Sequence, residues 1–99
     1  MFELRQAEPF QRWLDHIRDQ NAYTRIRMRL GRLKKGQFGD VQPVGEGVSE
    51  LRLHFGPGYR IYFYRQSAVV ILLLVGGDKS SQASDIKRAI ELKREIEGA

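Results

Sequence analysis

Residues 48–65 read VSELRLHFGPGYRIYFYR, and this stretch decides the fold. Apolar and polar side chains alternate over residues 48–55, which is the pattern of a half-buried β-strand. The sequence Gly56-Pro57-Gly58 has the composition of a turn. Residues 59–65 then alternate again. The stretch therefore predicts an antiparallel β-hairpin with one apolar face.

The apolar face of this hairpin sets its pairing. Its residues are Leu51, Leu53, Phe55, Ile61 and Phe63. They must share one face, because a slip of one residue would expose half of them. Pairing of residue 55 with residue 59 through a three-residue loop meets this condition, and we predict that register.

The other face of the hairpin carries polar and aromatic side chains. The predicted register sets His54 opposite Arg60 and Arg52 opposite Tyr62, and Glu50 and Tyr64 extend the two rows. Arginine forks bind phosphate oxygens, and tyrosine rings can stack an unstacked base. The sequence therefore predicts either a phosphodiester-binding face or an ordinary solvated sheet surface.

The flanking segments complete an α+β fold. The patterns predict a strand over residues 2–5, a helix from residue 8, a helix over residues 22–35, a loop over residues 36–47, a buried strand over residues 69–75 and a helix over residues 80–97. The predicted order is β-α-α-β-β-β-α, an antiparallel sheet packed by an N-terminal helical hairpin plus a C-terminal helix. We expect the first strand at the sheet edge and a single domain over residues 1–99.

Composition narrows the classes of function. Seventeen Lys and Arg against 12 Asp and Glu give a net charge of +5, which suits a polyanionic partner or a basic solvated surface. Cysteine is absent, which excludes disulfides and sulfur-based zinc sites. With two histidines, we expect no metal and no cofactor. The sequence shows no signal-peptide pattern and no membrane-spanning run, so we expect a cytoplasmic protein without membrane contact.

Two further basic segments are candidate binding surfaces. The second predicted helix carries five candidate RNA-binding residues, which are Arg25, Arg29, Arg32, Lys34 and Lys35. Lys79 follows Gly76-Gly77, which is predicted to end the last strand, and Ser80 or Ser81 is predicted to cap the helix after it. The segment lacks the phosphate-loop pattern of nucleotide hydrolases. A solvated helix and a plain strand-to-helix turn remain the alternatives.

Several segments resemble a known family when they are taken together. They are Phe38-Gly39-Asp40-Val41, VGEGVSELR at residues 44–52, GPGYRIYF at residues 56–63 and GGDKSSQ at residues 76–82. In combination they resemble the RelE/ParE toxin superfamily, especially its HigB-like addiction module killer branch. The resemblance covers essentially the whole chain and implies the same order of strands and helices.

The resemblance implies the toxin of a type II toxin-antitoxin system. Such a toxin cuts messenger RNA on the ribosome as an mRNA interferase, and so inhibits translation and growth. Its implied partners are the ribosome with its mRNA and a cognate antitoxin, a helix-turn-helix protein encoded alongside. By position, Arg52 and Arg60 match basic residues of the two hairpin strands. Lys79 falls where relatives carry catalytic residues, often histidine or tyrosine.

The implied endoribonuclease chemistry is metal-independent and needs few protein groups. The RNA 2′-hydroxyl is the nucleophile, so the protein supplies a base, charge stabilisation and an acid. The candidate catalytic residues are Arg52, Arg60, Lys79, Tyr62 and His54, and Tyr64 is a candidate RNA contact. His54 and Glu50 are the two candidates for the base. Lys79 suits the acid or charge stabilisation.

Two other functions fit the same fold. A ParE-like inhibitor of DNA gyrase would bind without hydrolysis, and it would not need an arginine-rich sheet face with Lys79. A non-catalytic RNA-binding module would use mainly the basic second helix. Function depends on the site, so the fold does not separate these possibilities.

Overall fold

The computed structural model describes residues 1–98, and Ala99, the last residue of the predicted domain, lies outside the described residues. Its elements are β1 (Glu3–Gln6), α1 (Glu8–Asp15), α2 (Gln20–Lys34), β2 (Val41–Gly45), β3 (Val48–Arg52), β4 (Tyr59–Arg65), β5 (Val70–Asp78) and α3 (Gln82–Gly98). A 3₁₀ turn, Lys79–Ser81, joins β5 to α3. The predicted α+β class and the order of the helices are confirmed.

The strands form one five-stranded sheet in the order β1-β5-β4-β3-β2. Strand β1 lies at one edge of the sheet, as predicted. It pairs parallel with β5, whereas the predicted sheet was antiparallel; the other neighbouring strands are antiparallel. The prediction of a loop over residues 36–47 was wrong in its second half, because Val41–Gly45 forms the opposite edge. Its Pro43 is tolerated because an edge strand leaves one side of its backbone unpaired.

Helices cover both faces of the sheet. Helices α1 and α2 pack on one face, in a core that contains Phe10, Leu14, Ile26, Leu30, Leu33, Leu51, Leu53, Ile61, Phe63, Ile71 and Leu73. Helix α3 packs on the other, in a core that contains Val48, Tyr62, Tyr64, Leu72, Leu74, Val75 and Ala89. This two-sided cover explains the almost continuously apolar sequence of β5. It also corrects the expectation that the second face is open.

The hairpin of β3 and β4 pairs two residues away from the predicted register. Arg52 lies opposite Arg60, and Glu50 lies opposite Tyr62. The assignment of side chains to the two faces survives, because an even shift preserves it. Strand β3 ends at Arg52, one further backbone hydrogen bond joins Leu53 N–H to the carbonyl oxygen of Tyr59, and residues 53–58 form a connection longer than the predicted three residues.

The two glycines predicted to end the last strand lie inside it, since β5 continues to Asp78. Their role is close packing: a Cβ on Gly76 would collide with the indole of Trp13, and one on Gly77 would collide with the carboxylate of Asp85. The cap also differs from the prediction. Asp78 accepts a hydrogen bond from the backbone N–H of Ser80 at 2.8 Å, and this places Lys79 at the carboxyl end of β5.

Helix α2 begins two residues earlier than predicted, at Gln20. Its N-cap is Asp19, whose carboxylate accepts hydrogen bonds from the backbone N–H groups of Asn21 and Ala22. Such a cap satisfies donors that the first helical turn leaves without partners.

Candidate functional site

A fully buried carboxylate, Glu50, connects the two arginines of the hairpin. Arg52 Nε donates to Glu50 Oε1 at 2.7 Å, and Arg60 Nε lies 3.9 Å from the same oxygen. The hydroxyl of Tyr62 and the side-chain amide of Gln82 donate to Glu50 Oε2 at 2.8 and 2.9 Å. Glu50 is therefore enclosed by donors from β3, β4 and α3.

The protonation states of this cluster follow from its contacts. Burial alone would raise the pKa of Glu50, but hydrogen bonds from Arg52, Gln82 and Tyr62 outweigh it and hold the pKa below its ordinary value. Burial and the hydrogen bond to Glu50 raise the pKa of Tyr62. Glu50 is thus a charged structural partner inside the protein, and of the two candidate bases His54 is the one that solvent reaches. Tyr62 is a buried donor, which corrects its predicted outward position.

Arg52 and Arg60 face each other across the two strands, an arrangement that ordinarily destabilises a sheet. The Glu50 carboxylate between them offsets the repulsion. The side chain of Arg52 is 34% exposed, whereas that of Arg60 is 9% exposed. Arg60 Nη1 donates to the carbonyl oxygens of Gly58 and Tyr59 at 3.1 and 3.3 Å. Its Nε has no hydrogen-bond partner among residues 1–98.

A basic groove of about 400 Å³ lies between α2 and the end of β3, and we call it the first groove. Its charged lining residues are Arg25, Arg29, Arg32, Asp40, Arg52 and His54. The loop of residues 53–58 separates it from a second groove of about 350 Å³. The second groove is lined by that loop together with Arg60 and Lys79. The predicted catalytic residues His54, Arg60 and Lys79 therefore meet at one place.

His54 pairs with a residue that the sequence analysis did not single out as a site residue. Its Nε2 lies 2.5 Å from Asp40 Oδ2, and the hydrogen bond to His54 lowers the pKa of Asp40. A proton on Nε2 directed at the carboxylate leaves the Nδ1 lone pair free to accept another. The His54 side chain is 70% exposed, so solvent and ligands reach it. Asp40 belongs to the segment Phe38-Gly39-Asp40-Val41 that carried the resemblance, and that was the available signal.

Lys79 lies beside the loop of the second groove and is exposed. Gly58 packs against it so closely that an added Cβ would lie 3.3 Å from Lys79 Cβ and 3.5 Å from Arg60 Nη1. The Lys79 and Arg60 side chains thus both pass Gly58, and both line the second groove.

The predicted basic residues of α2 lie in three different surroundings. Arg25 and Arg32 are exposed and line the first groove. Arg29 is buried and donates to the carbonyl oxygens of Gln37 and Phe38, and burial lowers its pKa. Lys34 and Lys35 line neither groove.

Tyr64, the predicted stacking residue, lies under α3 and is 3% exposed. Lys93 Nζ sits 5.0 Å from the centre of its ring, and its hydroxyl has no hydrogen-bond partner in the described part of the chain. Its predicted position on an open face is therefore wrong. Helix α3, whose packing partner the sequence did not reveal, accounts for the burial of both Tyr62 and Tyr64.

Two features of the described residues bear on cofactors and membranes. Across residues 1–98, no three or more His, Asp and Glu side chains are grouped so that they could hold a metal ion. Of the helices in this part of the chain, none has both the length and the apolar character required to cross a membrane.

Comparison with known proteins places this chain beside two others, while no protein-family model matches it. An uncharacterized protein of Haemophilus influenzae is 44% identical over 87 residues, which are 88% of this chain and 88% of that protein. The solved structure of an Escherichia coli RelE toxin mutant in the free state has a TM-score of 0.69 at 15% identity, over 91% of this chain and 95% of that one. The chain thus has the fold of the RelE toxin, as the resemblance implied, and it belongs to the same family as the Haemophilus influenzae protein.

Proposed function

We propose that this protein is the toxin of a type II toxin-antitoxin system, of the HigB-like branch, and that it cuts messenger RNA on the ribosome. One observation carries the proposal: a histidine–aspartate pair stands with two arginines and a lysine where two basic grooves meet, on a chain with the RelE fold. These groups are what cleavage of an RNA phosphodiester requires.

The proposed reaction uses the RNA 2′-hydroxyl as nucleophile and no metal. Nδ1 of His54 takes the hydroxyl proton, while Asp40 holds the ring in place. The 2′-oxygen forms a bond to phosphorus, and Arg52 and Arg60 stabilise the added charge of the phosphorane. The bond from phosphorus to the 5′-oxygen breaks, and Lys79 donates a proton to that oxygen. The products are a cyclic 2′,3′-phosphate and a 5′-hydroxyl.

The charge of the surface supports the proposed partners. Arg25 and Arg32 continue the basic lining of the first groove along α2, so an RNA strand in that groove has further phosphate partners. We propose the ribosome with its mRNA as the target, a helix-turn-helix antitoxin encoded alongside as the inhibitor, and the cytoplasm as the location.

Expression from a tightly repressed promoter in bacteria, with mapping of mRNA 5′ ends, tests the proposal. We expect growth arrest together with new ends inside translated codons. His54→Ala and Lys79→Ala should each lower cleavage by at least tenfold, since general acid–base groups contribute about 10²–10⁴-fold. Both side chains are exposed, so these variants should fold. Lys87→Ala, an exposed change on α3 with the same loss of charge, is the matched control and should cleave normally.

The gyrase and simple RNA-binding alternatives have distinct outcomes in the same experiment. Loss of plasmid supercoiling with intact messages would contradict the nuclease proposal and favour a gyrase inhibitor. RNA binding without new ends, in wild type and variants alike, would favour a non-catalytic module.

A further inference from the structure

We propose that Phe55 and Arg25 form a stacking platform for one unstacked base of single-stranded RNA, next to the cleaved phosphodiester. The proposal rests on the proposed function, because the ligand is the same RNA. Arg25 Cζ lies 3.9 Å from the centre of the Phe55 ring, so the guanidinium lies over the ring face. Bases stack on arginine guanidinium planes as well as on aromatic rings. Such a contact holds the base itself and does not depend on the charge of the RNA phosphates.

The ring of Phe55 is connected to the hydrophobic core by a row of packed aromatic side chains. It packs on Tyr59 with ring centres 5.5 Å apart, Tyr59 packs on Trp13 at 6.0 Å, and Trp13 packs on Phe10 at 5.7 Å. Phe10 is fully buried in the core beneath α1 and α2. The platform is therefore the outer end of an aromatic row that begins in the protein interior, and little of it needs to become ordered when a base arrives.

The position of Phe55 places it between the two grooves. It lines both of them and directly follows His54 in the chain. A base on the Arg25 side would leave its phosphates free to reach Arg52 in the first groove or Lys79 in the second. Each groove, at about 400 and 350 Å³, falls in the range of about 300–1,000 Å³ that is usual for small-ligand pockets.

The register of the hairpin explains why Phe55 is available. The last backbone hydrogen bond of the hairpin runs from Leu53 N–H to the carbonyl oxygen of Tyr59, and the chain then turns. Phe55 therefore lies half-buried at the edge of the core, on the predicted face but outside the paired strands. The tyrosines predicted to stack bases, Tyr62 and Tyr64, are buried. Of the Phe, Tyr and Trp side chains among the described residues, Phe55 lines both grooves.

Binding of a short 2′-O-methyl RNA, which cannot be cleaved, tests the platform with the full-length protein. One base at a time is replaced by an abasic nucleotide, which keeps every phosphate. We expect wild type to bind the oligonucleotide about tenfold more weakly when one particular base is missing, as for loss of a single base–aromatic stack. Equal binding of all abasic oligonucleotides, or no binding of the intact one, would overturn the proposal.

Two variants locate the effect, and a third is the control. Phe55→Leu removes the ring and keeps apolar volume, and Arg25→Lys keeps the charge and removes the planar guanidinium. In both, the penalty for the missing base should disappear. Arg65→Lys should retain it, because Arg65 lies 4.8 Å over Phe2, an equivalent pair that lines neither groove. A full penalty in both platform variants would contradict the proposal.

The platform and the nuclease proposal fail in different measurements. If wild type shows the base-dependent penalty but produces no new mRNA ends, the nuclease proposal fails and the platform stands. If wild type cuts mRNA but no abasic position matters, the platform fails and the nuclease proposal stands.

Discussion

At the scale of single residues, the Glu50 carboxylate keeps two arginines close together. Without it, Arg52 and Arg60 would face each other as like charges on adjacent strands. Glu50 also connects the sheet to the first turn of α3 through Gln82. The orientation of the proposed phosphate contacts thus depends on a side chain that no ligand touches.

We expect Glu50→Gln to destabilise the fold by about 3 kcal/mol, because it leaves the two guanidinium groups without their buried counter-charge. Urea unfolding at neutral pH measures the change. Glu46→Gln is the control: Glu46 pairs with Arg94 on the surface, where such pairs contribute about 0–1 kcal/mol. Similar losses in the two variants would contradict the role assigned to Glu50.

The stabilisation by Glu50 should depend on pH. Its pKa in the folded protein lies below the ordinary value of 4.5, so its contribution is complete above that value and is lost as the pH falls through the folded pKa. We therefore expect the stability difference between wild type and Glu50→Gln to be largest at neutral pH and to shrink as the pH falls below 4.5 through the folded pKa. Thermal unfolding at several pH values measures this, and a difference that is constant with pH would exclude it.

At the scale of elements, the end of β5 depends on the missing side chain of Gly77. We expect Gly77→Ala to cost about 1–3 kcal/mol, because the methyl group would displace the Asp85 carboxylate from its place against the strand. Gly31→Ala is the control, and it should change stability in the opposite direction. Gly31 lies in α2 with no atom within 4 Å of an added Cβ, so the change should stabilise by about 0.5–1 kcal/mol. Thermal unfolding of both variants gives the comparison.

Periodicity was sufficient to predict most elements but not their pairing. The alternation around Leu51 and Ile61 assigned the correct face to each side chain, because the actual register differs from the predicted one by an even number of residues. The register itself depends on where the loop of residues 53–58 turns, and composition does not specify that. Strand β2 was missed because Pro43 and the glycines around it are typical of a loop, whereas an edge strand accepts them.

Within the site, the sequence predicted which residues lie close together better than it predicted which side chains are buried. His54, Arg60 and Lys79 were predicted to lie together, and they do. Tyr62 and Tyr64 were placed on an open face, because hydroxyl-bearing rings that alternate with arginines look solvated in a sequence. Their burial depends on α3, which is distant in the chain. The Asp40–His54 contact joins two loops, and strand or helix periodicity does not specify such contacts.

At the scale of the whole molecule, the net charge of +5 predicts salt-dependent RNA binding. Each phosphate neutralised on a single strand contributes about −0.7 to the slope of log K against log salt concentration. We expect Arg32→Ala to weaken that slope by about 0.7, because Arg32 is exposed in the first groove. Lys87→Ala, with the same loss of charge on α3, should leave it unchanged. Equal slopes for wild type and Arg32→Ala would remove Arg32 from the RNA path.

The parallel pairing of β1 with β5 has a consequence for synthesis of the chain. Glu3 pairs with Val70, so the first strand leaves the ribosomal tunnel long before its neighbour exists. We expect nascent chains that end before Val70 to be digested by protease and full-length chains to resist it, and resistant short chains would contradict this. Lys79 and Gln82 emerge later still. If the proposed activity holds, a nascent chain that ends before Val70 lacks both the partner of its first strand and Lys79, and it cannot yet attack a ribosome.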